Sequence, residues 1–209
     1  AFLLDGSVRR SGEIVRVNAD LVDGQTGFSR WSQTFDRATK DIFAVQSEIA
    51  GTVAQALVAE VKPEGGSAAG DNRPPVAPGS TTDIAAYDAY LRGRALHDLS
   101  ADEASERAAL AQFDAAIAAD PEYAAAHAWR ARTLTAIASQ YGEVGQLPGL
   151  HDAAIVSARR AIALAPDLAD GYSILGVTLF QGRLDVRAAR EPYERSRELG
   201  AGDATIMAR

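Results

Sequence analysis

The chain has 209 residues and a formal net charge of −7, and it contains no cysteine and only three histidines. The missing cysteine excludes disulfides, thiolate catalysis and cysteine-based zinc sites, and so few histidines argue against a histidine-rich metal centre. The negative charge argues against a nucleic-acid-binding surface, which needs clustered lysine and arginine. No apolar run approaches the roughly 20 residues of a membrane-spanning helix. The chain also starts at Ala1 without a methionine, which suggests a piece of a larger protein. Together these facts favour a binding or regulatory fragment over an enzyme.

Residues 1–62 predict a small antiparallel β-β-β-α unit. The predicted strands are Phe2–Val8, Val15–Leu21 and Phe28–Phe35, because apolar and polar residues alternate and glycine-containing turns separate them. Apolar residues then recur at helical spacing over Ile42–Leu57. A unit of this size is close to the lower limit for an independent core, and its first strand is a sheet edge. We therefore expect the chain to form a homodimer through this β unit.

Two further regions follow. Residues 63–80 consist almost wholly of glycine, proline, alanine, serine and charged residues, which predicts a flexible linker. Residues 81–209 are alanine-rich and have helical periodicity, and one pattern of small and aromatic residues recurs in them with proline after its first two copies. Its copies are Ala109, Phe113, Ala116 and Pro121; Ala154, Ala158, Ala161 and Pro166; and Ala189, Tyr193 and Ser196. The stretch from Pro121 to Pro166 is longer than one copy of the pattern needs, which indicates a helix-connecting insertion around Tyr141–Asp152. This insertion contains His151.

This spacing resembles the tetratricopeptide repeat (TPR), in which small residues let two helices approach and an aromatic side chain fills the gap between them. We predict repeats at about 86–123, 124–168 and 169–203, with the start of a fourth at 204. The predicted fold is therefore mainly α: a superhelix of about three repeats, preceded by the β-β-β-α unit. Within the first repeat, Ser100–Glu103 has the sequence of a helix capping box.

The first 62 residues also resemble part of a TolB-like amino-terminal domain, in the version that precedes tetratricopeptide repeats in bacterial signalling proteins. The segments that carry this resemblance are Leu4–Arg10, Val15–Asp23, Trp31–Ser32, Phe35–Arg37, Asp41–Gln46 and, at the start of the repeats, Tyr87–Gly93. The resemblance implies a carboxy-terminal regulatory region attached to an amino-terminal effector. In that family the effector is often a class III adenylate or guanylate cyclase and sometimes a winged-helix DNA-binding domain, and neither is in this chain.

No catalytic motif is present: the sequence has no Walker A segment, no dinucleotide-binding glycine pattern after a strand, and no metalloprotease or hydrolase signature. We therefore assign no catalytic, cofactor-binding or metal-binding residue. The resemblance implies that the first helix of each repeat lines a concave groove, and the repeat register then gives ten candidate partner-binding residues. They are Tyr87, Tyr90, Arg94, His97, Arg132, Thr135, Asp170, Ser173, Val177 and Gln181.

A groove with tyrosine and arginine suits an extended peptide or a helix of acidic character. The alternative is that the repeats serve as a spacer or a self-association element, with these residues merely solvated. We interpret the chain as a non-catalytic protein-interaction and regulatory module of a bacterial signalling protein. Two other hypotheses stay open: a regulatory fragment of a cyclase whose catalytic domain lies outside this chain, and an envelope assembly scaffold. The lack of cysteine fits either the cytoplasm or the periplasm.

Overall fold

The computed structural model describes residues 2–38, 48–49, 51–52, 78–99 and 102–200. The chain forms two compact units, Ala1–Val76 and Ala77–Arg209, and each is described by itself. In the described residues, the first unit contains a three-stranded antiparallel sheet and the second contains six helices. This confirms the predicted mainly α fold with a small antiparallel sheet ahead of the helices.

The sheet of the first unit is a meander in the strand order β1-β2-β3. The strands are β1 (Phe2–Ser11), β2 (Ile14–Asp23) and β3 (Ser29–Ala38). Gly12 makes the tight turn between β1 and β2 with a φ of 59°, a conformation that glycine adopts without steric cost. Each strand extends beyond the carboxyl-terminal end predicted for it. Backbone pairing continues there through polar residues, such as Arg10 opposite Val15, and the alternation of apolar residues does not reveal such pairing.

One face of β2 and β3 is buried, and it alternates along the strands as the sequence pattern predicts. The buried residues on this face are Val15, Ala19, Leu21 and Phe35. On β2 itself, Arg16 belongs to the opposite set of residues, and it donates two hydrogen bonds of 2.7 Å to Asp36 on β3. These bonds hold the pKa of the Asp36 carboxyl below its usual value. By contrast, every residue of β1 is exposed, so β1 adds backbone pairing but no buried side chain.

Three predictions lie wholly or largely outside the described residues. The predicted helix Ile42–Leu57 is described at residues 48–49 and 51–52, which are helical. The predicted linker is described from residue 78 onward, and the predicted fourth repeat at 204 lies beyond the last described residue.

In the second unit, the six described helices follow one another with short connections. They are α1 (Ile84–Leu99), α2 (Glu103–Ala119), α3 (Ala124–Gln140), α4 (Leu147–Leu164), α5 (Ala169–Arg183) and α6 (Val186–Leu199). Consecutive helices pack as three hairpins, α1 with α2, α3 with α4, and α5 with α6. The hairpins then stack, because α2 also packs on α3 and α4 also packs on α5. This is the stacked-hairpin arrangement of a tetratricopeptide array.

Small residues of the first helix lie directly against an aromatic ring of the second helix in two of the hairpins. A β-carbon on Gly93 of α1 would lie 2.7 Å from the ring of Phe113 on α2, and one on Gly176 of α5 would lie 3.0 Å from the ring of Tyr193 on α6. Phe113 is fully buried, as are the repeat alanines Ala109 and Ala116 beside it. The aromatic side chain therefore fills the space that the missing β-carbon leaves, as the repeat spacing predicts.

Two local predictions need correction. Helix α4 begins at Leu147, since Pro148 is favourable in a first helical turn, so the connection after α3 is only Tyr141–Gln146 and does not run to Asp152. As a result His151 is a buried residue of α4 and not part of a loop. At the start of α2, the capping residue is Asp102, whose carboxylate accepts a hydrogen bond of 2.8 Å from the backbone of Ser105. The capping box predicted to start at Ser100 is therefore wrong.

Candidate functional site

The first helices of the three hairpins, α1, α3 and α5, lie side by side in the second unit. Helix α3 contacts both α1 and α5, whereas α2 and α4 each pack against the first helices on either side of them. We call the face formed by α1, α3 and α5 the groove. All ten candidate partner-binding residues belong to these three helices. Their surroundings differ strongly from one end of the groove to the other.

One end of the groove holds aromatic rings and guanidinium groups, which we call the aromatic–arginine cluster: Tyr87, Tyr90, Arg94, Trp129 and Arg132. The guanidinium carbon of Arg94 lies 4.0 Å from the centroid of the Trp129 ring, and that of Arg132 lies 5.1 Å from it. The rings of Tyr87 and Tyr90 stack with their centroids 6.5 Å apart. Cation–π contacts of this kind stabilise by about 0.5–2 kcal/mol each. Two arginines from two neighbouring hairpins thus share one indole ring.

Tyr90 connects this cluster to the core of the first hairpin. Its ring lies 6.1 Å from that of Phe113 and 5.0 Å from that of Tyr123, centroid to centroid. Burial raises the pKa of both Tyr90 and Tyr123, so their hydroxyls stay protonated at neutral pH. Arg94 donates a long hydrogen bond of 3.3 Å from Nη1 to the Tyr90 hydroxyl oxygen. The ring of Tyr90 is therefore a core element, and its hydroxyl positions Arg94.

The two arginines of the cluster differ in their ionic partners. Arg132 on α3 donates from Nη2 to Oδ1 of Asp170 on α5, at 3.3 Å, and so ties two hairpins together. Arg94 is half-buried, and its buried Nε has no hydrogen-bond partner among the described residues. In the described part of the chain, Arg94 has no ion pair. Of the two cations, only Arg132 is thus neutralised by a carboxylate among the described residues.

His97 points to the second helix of its own hairpin. Its Nδ1 lies 2.9 Å from Oε2 of Glu106 on α2, whose side chain is fully buried. The His97 ring also meets the Trp129 ring edge-on, with the centroids 5.6 Å apart. His97 therefore links the buried carboxylate to Trp129, and its ring supports one side of the cluster.

The other end of the groove is polar and largely closed. Thr135 and Ser173 are buried, and the hydroxyl oxygen of Thr135 lies 2.8 Å from that of Thr178 across the α3–α5 contact. These small side chains let the first helices pack closely and are buried by that packing. They therefore leave little surface for a partner. Val177 is half-buried and Gln181 is exposed, so these two keep accessible surface at this end.

Two residues of the site, Trp129 and Glu106, are not among those predicted from the sequence. Trp129 could have been found, because it precedes Arg132 by one helical turn and so lies on the same side of α3. Glu106 carries no such signal. A glutamate in the first turn of a helix is usually solvated, and its burial here depends on the position of His97 in another helix.

Tyr90 and Trp129 are themselves buried, so the groups that the cluster offers to a partner are the half-buried Tyr87 ring and the Arg94 guanidinium, which are suited to non-covalent recognition. Within the described ranges, no three histidine, aspartate or glutamate side chains come together in a way that could hold a metal ion. The helices in the same ranges are all too short or too polar to cross a membrane.

Comparison with curated proteins gives one informative relative. The protein "Putative adenylate cyclase 3" of Rhizobium meliloti (strain 1021) is 35% identical to this chain over 127 residues. The match covers 61% of this chain and 20% of that protein, so the matched region is a small part of the relative. No family model matches the chain.

Solved structures with a similar fold include several TPR domains. The first TPR domain of Spaghetti (RPAP3), bound to an HSP90 peptide, gives a TM-score of 0.48 at 17% identity, over 60% of this chain and 89% of that one. The Sgt2 TPR domain from Aspergillus fumigatus gives 0.48 at 19% identity, over 62% and 75%. MamA gives 0.44 at 16% identity, over 79% and 70%.

Proposed function

We propose that the second unit is a protein-interaction module whose groove binds a peptide or a helix of a partner protein. The observation that carries this proposal is the aromatic–arginine cluster, in which Arg94 lies on the ring of Trp129 where two neighbouring hairpins meet. Tryptophan, tyrosine and arginine supply most of the binding energy in many protein interfaces, because they combine large apolar area with a polar group.

The arrangement also favours binding over a purely solvated surface. Trp129, Tyr90 and Phe113 are buried in one packed core, so Arg94, whose guanidinium lies on the Trp129 ring, has a rigid support and loses little conformational freedom when a partner binds. A guanidinium held in place in this way binds a peptide more tightly than a flexible side chain would.

This proposal is tested with peptides selected from a random library on the full chain. Val177, a half-buried groove residue, is changed to arginine to obstruct the groove, and Val156, an exposed residue of α4, receives the same change as the control. We expect Val177→Arg to weaken binding by about tenfold or more and Val156→Arg to leave it unchanged. Peptides that bind Val177→Arg as tightly as the unchanged chain, or a failure to select any peptide, would contradict a binding groove.

We also propose that the chain is a regulatory region of a longer protein with cyclase activity. One observation supports this: the 35% identity over 127 residues to the protein named as an adenylate cyclase. The resemblance of Leu4–Arg10 and Val15–Asp23 to TolB-like domains stays a prediction from the sequence. In that arrangement, partner binding in the groove would change the activity of the attached effector. Expression of the complete gene in a bacterial strain without adenylate cyclase should produce cyclic AMP. If neither cyclic AMP nor cyclic GMP accumulates, the effector is of another kind, such as a winged-helix domain.

For the first unit, we propose that β1 pairs with β1 of a second copy. The strand lies at the edge of the sheet, and its apolar side chains Leu3, Leu4 and Val8 are all more than half exposed. Antiparallel self-pairing centred on Ser7 would place Asp5 opposite Arg9 of the other copy, on both sides of the dimer axis. We expect light scattering to give the mass of a dimer, and Val8→Pro, which distorts β1, to give that of a monomer. A monomeric unchanged chain at high concentration would contradict this pairing.

A further inference from the structure

We infer that Arg94 is the residue that binds a carboxylate of the partner, whereas Arg132 is a positioning residue that holds Trp129 in place. This inference rests on the proposed function, because it assigns roles within the same groove. It also separates two arginines that the sequence alone presents as equivalent.

The first argument is the balance of charge in and beside the groove. Arg132 has the carboxylate of Asp170 at 3.3 Å. Arg94 has no ion pair among the described residues, and its single described hydrogen bond is the 3.3 Å contact with the Tyr90 hydroxyl. A half-buried guanidinium without a counter-ion is costly to keep away from water, so an anionic ligand would gain more from Arg94 than from Arg132.

The second argument is the geometry of the Arg94 side chain. Its guanidinium carbon lies 4.0 Å from the Trp129 ring centroid and 5.9 Å from that of Tyr90. Contact with the Trp129 ring limits the rotation of the guanidinium, and Nε is already buried. A carboxylate can bind end-on to the two terminal nitrogens through parallel hydrogen bonds without moving Nε. Arg94 therefore has the fixed, forked donor set that carboxylate recognition needs.

The third argument concerns Arg132. Its guanidinium lies 5.1 Å from the Trp129 ring centroid while one of its nitrogens is bound to Asp170. The ion pair fixes Arg132 across α3 and α5, so Arg132 supports the indole ring on which Arg94 lies. Loss of Arg132 should thus loosen the site for every peptide alike, whereas loss of Arg94 should matter only to peptides that carry the carboxylate.

The test is a double-mutant cycle on the full chain with peptides selected from the random library. Each peptide is made with its acidic side chains intact and with each in turn changed to the matching amide, and both with a free and with an amidated carboxyl terminus. Affinities are measured for the unchanged chain, for Arg94→Gln and Arg132→Gln, and for the control Arg187→Gln at an exposed position of α6. The two terminal forms show whether the carboxylate comes from a side chain or from the peptide end.

We expect removal of one carboxylate to weaken binding to the unchanged chain and to Arg187→Gln by about tenfold, and to Arg94→Gln by less than about twofold. Arg132→Gln should weaken binding of the amide peptides as well as the acid ones, because it removes the support of the Trp129 ring. The inference is overturned if the carboxylate effect is as large in Arg94→Gln as in the unchanged chain, or if the selected peptides need no carboxylate. If Val177→Arg still abolishes binding in those cases, the groove proposal survives; if it does not, both proposals fail.

Discussion

A β-carbon on Gly93 would lie 2.7 Å from Cε1 of Phe113, closer than real side-chain contacts allow, and Phe113 is fully buried. An alanine in a helix interior is normally more stable than glycine by about 1 kcal/mol. Here the overlap with a ring that cannot move should reverse the sign. We expect Gly93→Ala to lower the free energy of unfolding by about 1–2 kcal/mol, measured by urea denaturation.

Gly149→Ala is the matched control for this prediction. Gly149 lies in the first turn of α4, and a β-carbon there meets nothing within 4 Å. We expect this change to leave the stability unchanged or to raise it by up to about 0.5 kcal/mol. A Gly93→Ala chain at least as stable as the unchanged one would show that the two helices of the first hairpin are not in close contact at this point.

This contact also shows why the helical fold can be predicted from the sequence. The spacing of Gly93 and Phe113, and that of Gly176 and Tyr193, follows from local packing rules that hold for any pair of stacked hairpins. The burial of alternate residues along β2 can be predicted in the same way, because successive side chains of a strand point to opposite faces of the sheet. Such features need no knowledge of distant residues.

The candidate site is less predictable, since it depends on contacts between hairpins. The repeat register places Arg94 and Arg132 on the correct helices, but it does not reveal that Asp170 pairs with Arg132. Nor does it reveal the buried Glu106, because hydrophobic patterns say nothing about a carboxylate that another helix covers. The length of a connection is also hard to predict, as the early start of α4 at Leu147 shows.

The contact between His97 and Glu106 gives a second prediction about stability. The Glu106 carboxylate is fully buried and loses one partner when His97 is changed to alanine. A buried polar group that loses a hydrogen bond typically costs about 1–3 kcal/mol, so we expect the free energy of unfolding to fall by that amount. Asp98→Ala, at the exposed neighbouring position, should change it by less than about 0.5 kcal/mol. Equal effects of the two substitutions would rule out a structural role for the His97–Glu106 contact.

Leu184 is a site where a substitution should stabilise the protein. It ends α5 in the left-handed region, with a φ of 52°, and its side chain is 80% exposed. Residues with a β-carbon are strained there by about 1–2 kcal/mol, and glycine is not. We expect Leu184→Gly to raise the free energy of unfolding by about 0.5–1 kcal/mol, after the greater entropy of glycine in the unfolded chain is subtracted. Leu184→Ala removes the same exposed side chain but keeps the strain, so it should give no gain.

The lowered pKa of His151 in the folded state makes the stability of the chain depend on pH. Burial lowers its pKa in the folded state, and the nearby Arg183 lowers it further, while Asp152 opposes the shift. Between the unfolded pKa of about 6.5 and the lower folded value, the unfolded chain binds more protons. Stability is therefore full above about pH 7 and falls as the pH drops through this window. His127, whose pKa burial also lowers, contributes with the same sign.

This prediction is checked by urea denaturation at about pH 8 and about pH 5.5, with His151→Phe as the variant. We expect the loss of stability on acidification to be smaller in His151→Phe than in the unchanged chain. His127→Phe should reduce the remaining loss in the same direction. An unchanged pH dependence in both variants would contradict burial of the two rings.

The central claim is that a partner peptide binds in the groove formed by α1, α3 and α5. A crystal structure of the full chain with a peptide selected on it tests this most directly. We predict peptide density against Tyr87 and Arg94, which keep accessible surface, with a peptide carboxylate within hydrogen-bond distance of the terminal nitrogens of Arg94. Density on α2, α4 and α6 instead, with the groove empty, would contradict the claim.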